Sequence, residues 1–186
     1  MKKILQKNEK ILRLEAQDVR LADIKTKKIQ NVLKEMSQAL KSQADGVAIA
    51  APQIGVPLRI FVVSGKIFAK DFGKKREAPT PGGVGVPTES VGKKAKDLIF
   101  INPKILKLSR EKEWVLEGCL SVRWLYGNTF RSKKATITAY NENGKKFQRG
   151  ASGLLAQIFQ HETEHLDGRL FIDHAKDIRE ELPPVK

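Results

Sequence analysis

The chain has 186 residues, of which 40% are hydrophobic, and this suits a single folded domain with a sizeable core. Lysine and arginine outnumber aspartate and glutamate by 35 to 21, which gives a formal net charge of +14. No run of about eighteen apolar residues occurs, so we expect no membrane-spanning helix. The polar N-terminus has no apolar run typical of a signal peptide, which predicts a cytoplasmic protein.

The positive charge favours contact with polyanions through long-range attraction. A lysine-rich solvated surface would give the same composition, because the basic residues are scattered and aromatic residues make up only 6% of the chain. We therefore expect no specific nucleic-acid site.

One helix and two strands are predicted in the chain up to residue 101. Apolar residues recur at helical spacing between Thr26 and Lys41, which predicts an amphipathic helix. The composition of Leu58 to Val63 and of Leu98 to Ile101 is typical of strands. Between these strands, residues 70–97 hold much of the glycine and proline, and we expect a flexible insertion there.

The segment from Asp45 to Gly55 is rich in small residues and carries one long polar side chain, Gln53. Small residues let a backbone approach a ligand closely, and extended backbone can pair with a peptide. The amide of Gln53 could then stabilise an oxyanion. A buried strand followed by a turn would give the same pattern, and this segment alone favours that interpretation.

Strands and a tail are predicted in the second half of the chain. We expect a hairpin from Lys104 to Leu116, and Lys134 to Tyr140 alternates like a strand. Asn143-Gly144 is a strong two-residue turn, which leads into a partner strand from Lys145 to Gly150. Residues 176–186 are mostly charged or polar, and they are expected to form a short, exposed and flexible tail.

The segment from Ser152 to Gly168 is predicted to be a helix with an N-cap and a left-handed C-cap. It contains His161, Glu162 and His165 in the spacing His-Glu-x-x-His. On a helix the two histidines lie one turn apart on one face, where both can bind one metal ion. The glutamate beside them could take a proton from metal-bound water.

The position of the histidines favours a metal site over two chance surface residues. They continue the apolar stripe of Leu154 and Ile158, and two unpartnered imidazoles facing a core would be costly. Such a site needs a third protein ligand. Cys119, the only cysteine and therefore unable to form an internal disulfide, is the best candidate.

Three motifs together resemble those of the peptide deformylase family, metalloenzymes that remove the N-formyl group from nascent bacterial polypeptides. They are Gly46-Val47-Ala48-Ile49-Ala50-Ala51-Pro52-Gln53, Glu117-Gly118-Cys119-Leu120-Ser121 and Gln160-His161-Glu162-Thr163-Glu164-His165. The resemblance covers nearly the whole chain outside residues 70–97 and the tail. It implies an α+β fold in which antiparallel β-sheets surround a central metal-binding helix, within one catalytic domain of residues 1–175.

The resemblance also implies the roles of the site residues. Cys119, His161 and His165 would bind one Fe2+ per chain, which Zn2+, Ni2+ or Co2+ can replace. Glu162 would be the catalytic base and acid. The Gln53 amide and the backbone N–H of Leu120 would stabilise the oxyanion that develops on the substrate.

The implied substrate is the N-terminal formyl-methionine of a nascent polypeptide, and formate is the released product. The backbone of Gly46, Val47, Ala48 and Gly118 is expected to pair with the peptide in strand fashion. Leu154 and Ile158 are expected to line an apolar pocket for the methionine side chain. Besides N-formylmethionyl peptides, we expect a transient contact with the ribosome, because the substrate is a nascent chain and the protein is basic.

Four positions depart from the family pattern. Ala48 stands where a second glycine is usual, Glu164 replaces an aspartate, Arg123 falls at a common proline and Tyr126 at an arginine of some members. The loop from Val122 to Phe130 is therefore expected to differ in shape.

Two alternatives stay open at this point. One is another His-Glu-x-x-His metallopeptidase, which would need a third ligand other than cysteine. The other is an inactive basic relative that binds the ribosome or RNA.

Overall fold

The computed structural model describes residues 2–69, 72 and 95–182. Within these residues the chain forms two α-helices and eight β-strands. The helices are α1 (Lys27–Lys41) and α2 (Gly153–Leu166), and the strands are β1 (Ala48–Ala50), β2 (Ile60–Val63), β3 (Leu98–Leu108), β4 (Lys112–Cys119), β5 (Val122–Ser132), β6 (Lys134–Tyr140), β7 (Lys146–Ser152) and β8 (Lys176–Glu180). Neither helix is long and apolar enough to cross a bilayer. Most of the insertion expected at residues 70–97 lies outside the described residues.

The strands form two antiparallel sheets, which confirms the α+β class. The larger sheet has the order β1-β2-β3-β6-β7, and the smaller one has the order β4-β5-β8. Strand β1 lies at the edge of the larger sheet and β4 at the edge of the smaller one. Both edge strands contribute to the site described below.

The two helices pack on opposite faces of the larger sheet. Alternate residues of β2 point to the two faces of the sheet. Ile60 and Val62 pack in the core cluster that includes α1 residues, whereas Phe61 and Val63 pack in the cluster that includes α2 residues. Phe159 of α2 contributes a ring 6.3 Å from that of Phe61, measured between ring centroids. The larger sheet is therefore buried on both faces at its β1–β2 end, and α2 is held firmly against it.

Several sequence predictions are confirmed. Helix α1 begins after Thr26, whose side chain accepts a hydrogen bond from the Ile29 amide. The turn at Gly144 has a φ of +73°, and β6 and β7 pair on either side of it. Helix α2 also forms as expected, and Gly168 follows it with a φ of +72°, although Ser152 makes no side-chain capping bond.

Three local predictions were wrong. Strands β3 and β4 do not form a hairpin with each other between Lys104 and Leu116, because β3 pairs with β2 and β6 whereas β4 pairs with β5. The expected loop from Val122 to Phe130 is part of strand β5. Residues 176–180 are exposed as expected, but they form β8 on the free side of β5 rather than a loose tail.

Candidate metal centre

Cys119 and the two histidines of α2 meet at one point. The Cys119 Sγ lies 3.1 Å from His165 Nε2, and one candidate ligand atom from each of Cys119, His161 and His165 lies within 4.8 Å of the other two. Gln157 of α2 donates a hydrogen bond to the backbone oxygen of Leu116, which holds β4 against the helix. The third ligand expected from the sequence is therefore next to the histidines, although it is more than forty residues away in the chain.

The donor set fits a divalent metal ion. One thiol and two imidazoles are the groups that zinc and ferrous iron accept in proteins. His165 is only 1% exposed, and burial holds the pKa of this imidazole well below its usual range, which keeps it in the neutral form that binds metals. Its Nδ1 is buried and has no hydrogen-bond partner among the described residues. The cluster is thus an incompletely satisfied polar site inside the protein.

Glu162 lies on the same helix between the two histidines. It is 4% exposed, and its Oε2 is buried without a hydrogen-bond partner among the residues that the structure describes. Burial raises the pKa of this carboxyl group to about 7 and outweighs the opposing effect of His161. Such a group can both accept and donate a proton near neutral pH.

A hydrogen-bonded chain of side chains, which includes the buried Glu117 and Arg131, fixes the orientation of His161. Glu117 Oε2 accepts a hydrogen bond of 3.0 Å from Nδ1 of His161, which leaves Nε2 for a metal. Arg131 donates to both oxygens of Glu117 at 2.8 and 2.9 Å and to both oxygens of Glu164 at 2.5 and 2.8 Å. His174 Nε2 lies 3.1 Å from Glu164 Oε2.

The electrostatics of this chain keep Glu117 ionised. Burial alone would raise the pKa of Glu117, but its hydrogen bonds with Arg131 and His161 outweigh burial and hold the pKa well below its usual range. The ionised Glu117 accepts a hydrogen bond from His161 Nδ1, and its negative charge helps to raise the pKa of His161 well above the usual range despite burial.

The sequence motifs did not indicate this supporting chain. One signal was present, because Glu117 precedes Cys119 by two residues in a strand, a spacing that places both side chains on the same face. No local pattern marked Arg131 or His174. Their positions depend on the pairing of β5 with β4 and on the turn after α2, both of which are long-range features.

Gln53 lies beside the cysteine. It is in the short helical turn Ala51–Ile54 that follows β1, so the expected buried strand and turn is also present. Its Oε1 accepts from the backbone N–H of Ala50 at 2.8 Å, which turns Nε2 towards Ser121 Oγ at 3.0 Å and Cys119 Sγ at 3.5 Å. The amide donor is thus fixed at the cluster, as an oxyanion-stabilising group must be.

The remaining candidate residues surround the cluster. Val47, Ala48, Leu154 and Ile158 belong to the same core cluster, so the segment around β1 and the start of α2 are packed together. Gly46 is close to the turn after β4, because a Cβ on it would lie 3.2 Å from Leu120 Cδ1.

Gly118 belongs to the smaller sheet, where it is exposed on edge strand β4. A Cβ on Gly118 would lie 2.6 Å from a ring carbon of Tyr126, so only glycine fits there without displacing that ring. Edge strands β1 and β4 therefore both contribute residues near the thiol and imidazoles, and exposed strand edges can pair with an added peptide strand beside a site suited to metal-assisted hydrolysis.

Comparison with known proteins agrees with this class of site. Residues 1–181 match the family model described as polypeptide deformylase. Peptide deformylase 2 of Clostridium acetobutylicum is 34% identical over 174 residues, which are 93% of this chain and 94% of that protein. The chloroplastic peptide deformylase 1A of Solanum lycopersicum is 34% identical over 179 residues, which cover 93% of this chain but only 59% of the tomato protein.

A solved structure shows the same fold. The class I type b peptide deformylase of Acinetobacter baumannii, crystallised with Met-Ala-Ser bound, superposes with a TM-score of 0.76 at 25% identity over 94% of this chain and 98% of that one. The chain belongs to the peptide deformylase family, whose members are hydrolases that act on N-formyl groups. Neither alternative, a different metallopeptidase or an inactive basic relative, is supported by these comparisons.

Proposed function

We propose that the protein hydrolyses the N-formyl group of formyl-methionine at the N-terminus of nascent polypeptides and releases formate. The observation that carries this proposal is the meeting of Cys119, His161 and His165 beside the buried carboxyl group of Glu162. On this proposal α2 is the metal-binding helix around which the two sheets are arranged, and the reaction takes place in the cytoplasm, where nascent chains are made.

Cys119, His161 and His165 would hold one Fe2+, and Zn2+, Ni2+ or Co2+ could replace it. When bound, the cation supplies Lewis acidity, which activates water and polarises the formyl group. Glu117 supports this role of His161, because its hydrogen bond with Nδ1 occupies that nitrogen and leaves Nε2 as the atom that would bind the metal.

Glu162 carries out the proton transfers on this proposal. Its carboxylate takes a proton from the attacking water and then delivers that proton to the amine that leaves. A pKa near 7 suits both steps, since the group must change its protonation state twice in each turnover at neutral pH. No hydrogen bond within the described residues competes for its Oε2.

Gln53 and Leu120 would stabilise the negative charge that develops on the formyl oxygen. The Gln53 amide is fixed by the Ala50 backbone and needs no rearrangement before the reaction, which is the property that makes such donors effective. Leu120 follows Cys119 directly, so its backbone N–H lies beside the thiol-bearing residue.

The peptide would bind in a groove between edge strands β1 and β4. The backbone of Gly46, Val47 and Ala48 forms one wall and Gly118 the other, because both belong to or adjoin edge strands that can pair with an added strand. The methionine side chain would enter the apolar surface of Leu154 and Ile158, which pack on the β1 side of the groove.

The proposal is tested by an anaerobic assay of the iron-loaded protein with formyl-Met-Ala-Ser, in which formate release is measured. Glu162→Ala should lose nearly all activity but still bind the metal. Glu35→Ala is the matched control, because Glu35 lies on α1, on the far side of the larger sheet, and its rate should stay within about twofold of wild type. No formate release from a wild-type protein that holds one metal ion would reject the proposal.

The metal ligands are tested separately. Cys119→Ser should abolish deformylation and reduce the bound metal, measured by elemental analysis after gel filtration. Full activity in this variant would exclude Cys119 as a ligand and would favour a site with a different third group.

Ribosome contact remains a proposal supported by the net charge of +14. Co-sedimentation with ribosomes should be detectable at low salt and should weaken as salt is added. Absence of co-sedimentation at low salt would remove this part of the proposal.

A further inference from the structure

Arg123 links the two sides of the proposed peptide groove. It lies on β5, four residues after Cys119, and its guanidinium donates to two side chains that come from the segment between α1 and β1. Nη1 is 2.5 Å from Asp45 Oδ2, and Nη2 is 3.2 Å from Asp45 Oδ1 and 2.8 Å from Gln43 Oε1. A fork of this kind fixes orientation as well as distance.

The surroundings of Arg123 hold the fork in place. Its side chain is 19% exposed, whereas that of Asp45 is 49% exposed, so the arginine is the more rigidly packed partner. The guanidinium carbon lies 4.9 Å from the centre of the Trp124 ring. The guanidinium is thus supported by an aromatic ring as well as by hydrogen bonds to Asp45 and Gln43.

The two segments that Arg123 joins are the walls of the proposed peptide site. Asp45 directly precedes Gly46 and Val47, which lead into edge strand β1. Arg123 follows the turn at the end of edge strand β4, which carries Gly118 and Cys119. The two walls belong to different sheets, so backbone pairing within a sheet does not set the distance between them.

We propose that Arg123 is a positioning residue that sets the width of the peptide groove by tethering Asp45, and so determines how tightly the substrate backbone is bound. This inference rests on the proposed function, because the groove is assigned to the peptide there. Arg123 touches none of the groups assigned to proton transfer. Its loss therefore weakens peptide binding and leaves the chemical step largely unchanged.

Steady-state kinetics with formyl-Met-Ala-Ser test the tether. Arg123→Ala and Asp45→Ala should each raise KM about fivefold, with kcat within about twofold of wild type. The KM of the double variant should be close to that of Arg123→Ala, because each single change already removes the Arg123–Asp45 pair. Arg123→Lys keeps the positive charge but loses the two-pronged hydrogen bonding of the guanidinium, so its KM should lie between those of wild type and Arg123→Ala.

Arg20→Ala is the matched control. Arg20 also makes a two-bond pair with an aspartate, Asp23, at 2.6 and 3.1 Å, but this pair lies before α1 and does not join the groove walls. Its KM should equal that of wild type. The proposed role of Arg123 would be rejected if kcat of Arg123→Ala fell by as large a factor as KM rose. It would also be rejected if the KM increases of the two single variants multiplied in the double variant.

Direct binding of Met-Ala-Ser separates this inference from the proposed reaction. Trp114→Phe leaves Trp124, one of two tryptophans in the chain, to report binding by its fluorescence next to Arg123. In that background Arg123→Ala should raise the Kd about fivefold. Binding without formate release by wild type would reject the reaction alone. An unchanged Kd would reject the tether alone, and no binding by wild type would reject both.

Discussion

Replacing Glu162 by glutamine should change how the stability of the metal-free protein depends on pH. In the unfolded chain this carboxyl group has its ordinary pKa of 4.5, but in the folded chain burial raises the pKa to about 7. The folded state therefore holds a proton between these values that the unfolded state releases. Stability is lost as the pH rises through this window, and the full cost is present above pH 7.

The magnitude follows from the size of the shift. Raising the pKa from 4.5 to about 7 corresponds to about 3 kcal/mol at high pH, of which about 1 kcal/mol is already present at pH 5. Glutamine has the same shape and does not titrate. The stability of Glu162→Gln relative to wild type should therefore increase by about 2 to 3 kcal/mol between pH 5 and pH 8.

Urea unfolding in the presence of a chelator measures this difference. Glu164→Gln is the control on the same helix, since hydrogen bonds from Arg131 and His174 outweigh burial and lower the pKa of Glu164. Above its ordinary pKa the Glu164 carboxyl group is ionised in both the folded and the unfolded chain. Its own titration should therefore change the stability difference between Glu164→Gln and wild type only slightly between pH 5 and pH 8. If the difference in unfolding free energy between Glu162→Gln and wild type also stayed constant over this pH range, the conclusion that Glu162 is buried and unpaired would be refuted.

Two further changes test the surroundings of the site. Arg131→Met should destabilise the protein by about 3–5 kcal/mol in thermal or urea unfolding, because it leaves the buried carboxylate of Glu117 and the partly buried carboxylate of Glu164 without their partner. Lys133→Met on the surface should have no measurable effect. A loss below about 1 kcal/mol for Arg131→Met would contradict a buried ion network. Gly118→Ala should cost about 1–3 kcal/mol, because the new methyl group meets the Tyr126 ring, and adding Tyr126→Ala should remove that cost. If Gly118→Ala lowered the stability equally in wild type and in Tyr126→Ala, the Tyr126 ring would not be the group that the new methyl meets.

The helix that carries the histidines could be predicted because its signals are local. The spacing of His161 and His165 places both on one face, and the glycine at 168 adopts the left-handed conformation expected after a helix. The strands around Gly144 were predictable for the same reason, since a two-residue turn sets the register of its neighbours.

Strand partners could not be predicted in the same way. The turn between β3 and β4 looked like a hairpin turn, but Leu108 pairs with Ala135, so the chain passes from one sheet to the other there. Strand β8 has five exposed, mostly charged residues, and it is held by backbone bonds to β5 that leave no pattern in the sequence. The local composition of a strand does not indicate which distant strand it pairs with.

Glu162 and Glu164 show how this limit affects the site itself. They are two residues apart, so on a helix their side chains point in directions about 200° apart. Glu164 therefore meets Arg131 of β5, whose hydrogen bonds help to outweigh burial and lower the pKa of Glu164, so that this carboxyl group is ionised at neutral pH. Glu162 follows His161 directly and has a buried Oε2 without a hydrogen-bond partner among the described residues, and burial raises its pKa to about 7. Two glutamates on one helix thus have different roles. Glu164, which pairs with Arg131, is a structural anion, whereas Glu162, which does not, can exchange a proton near neutral pH.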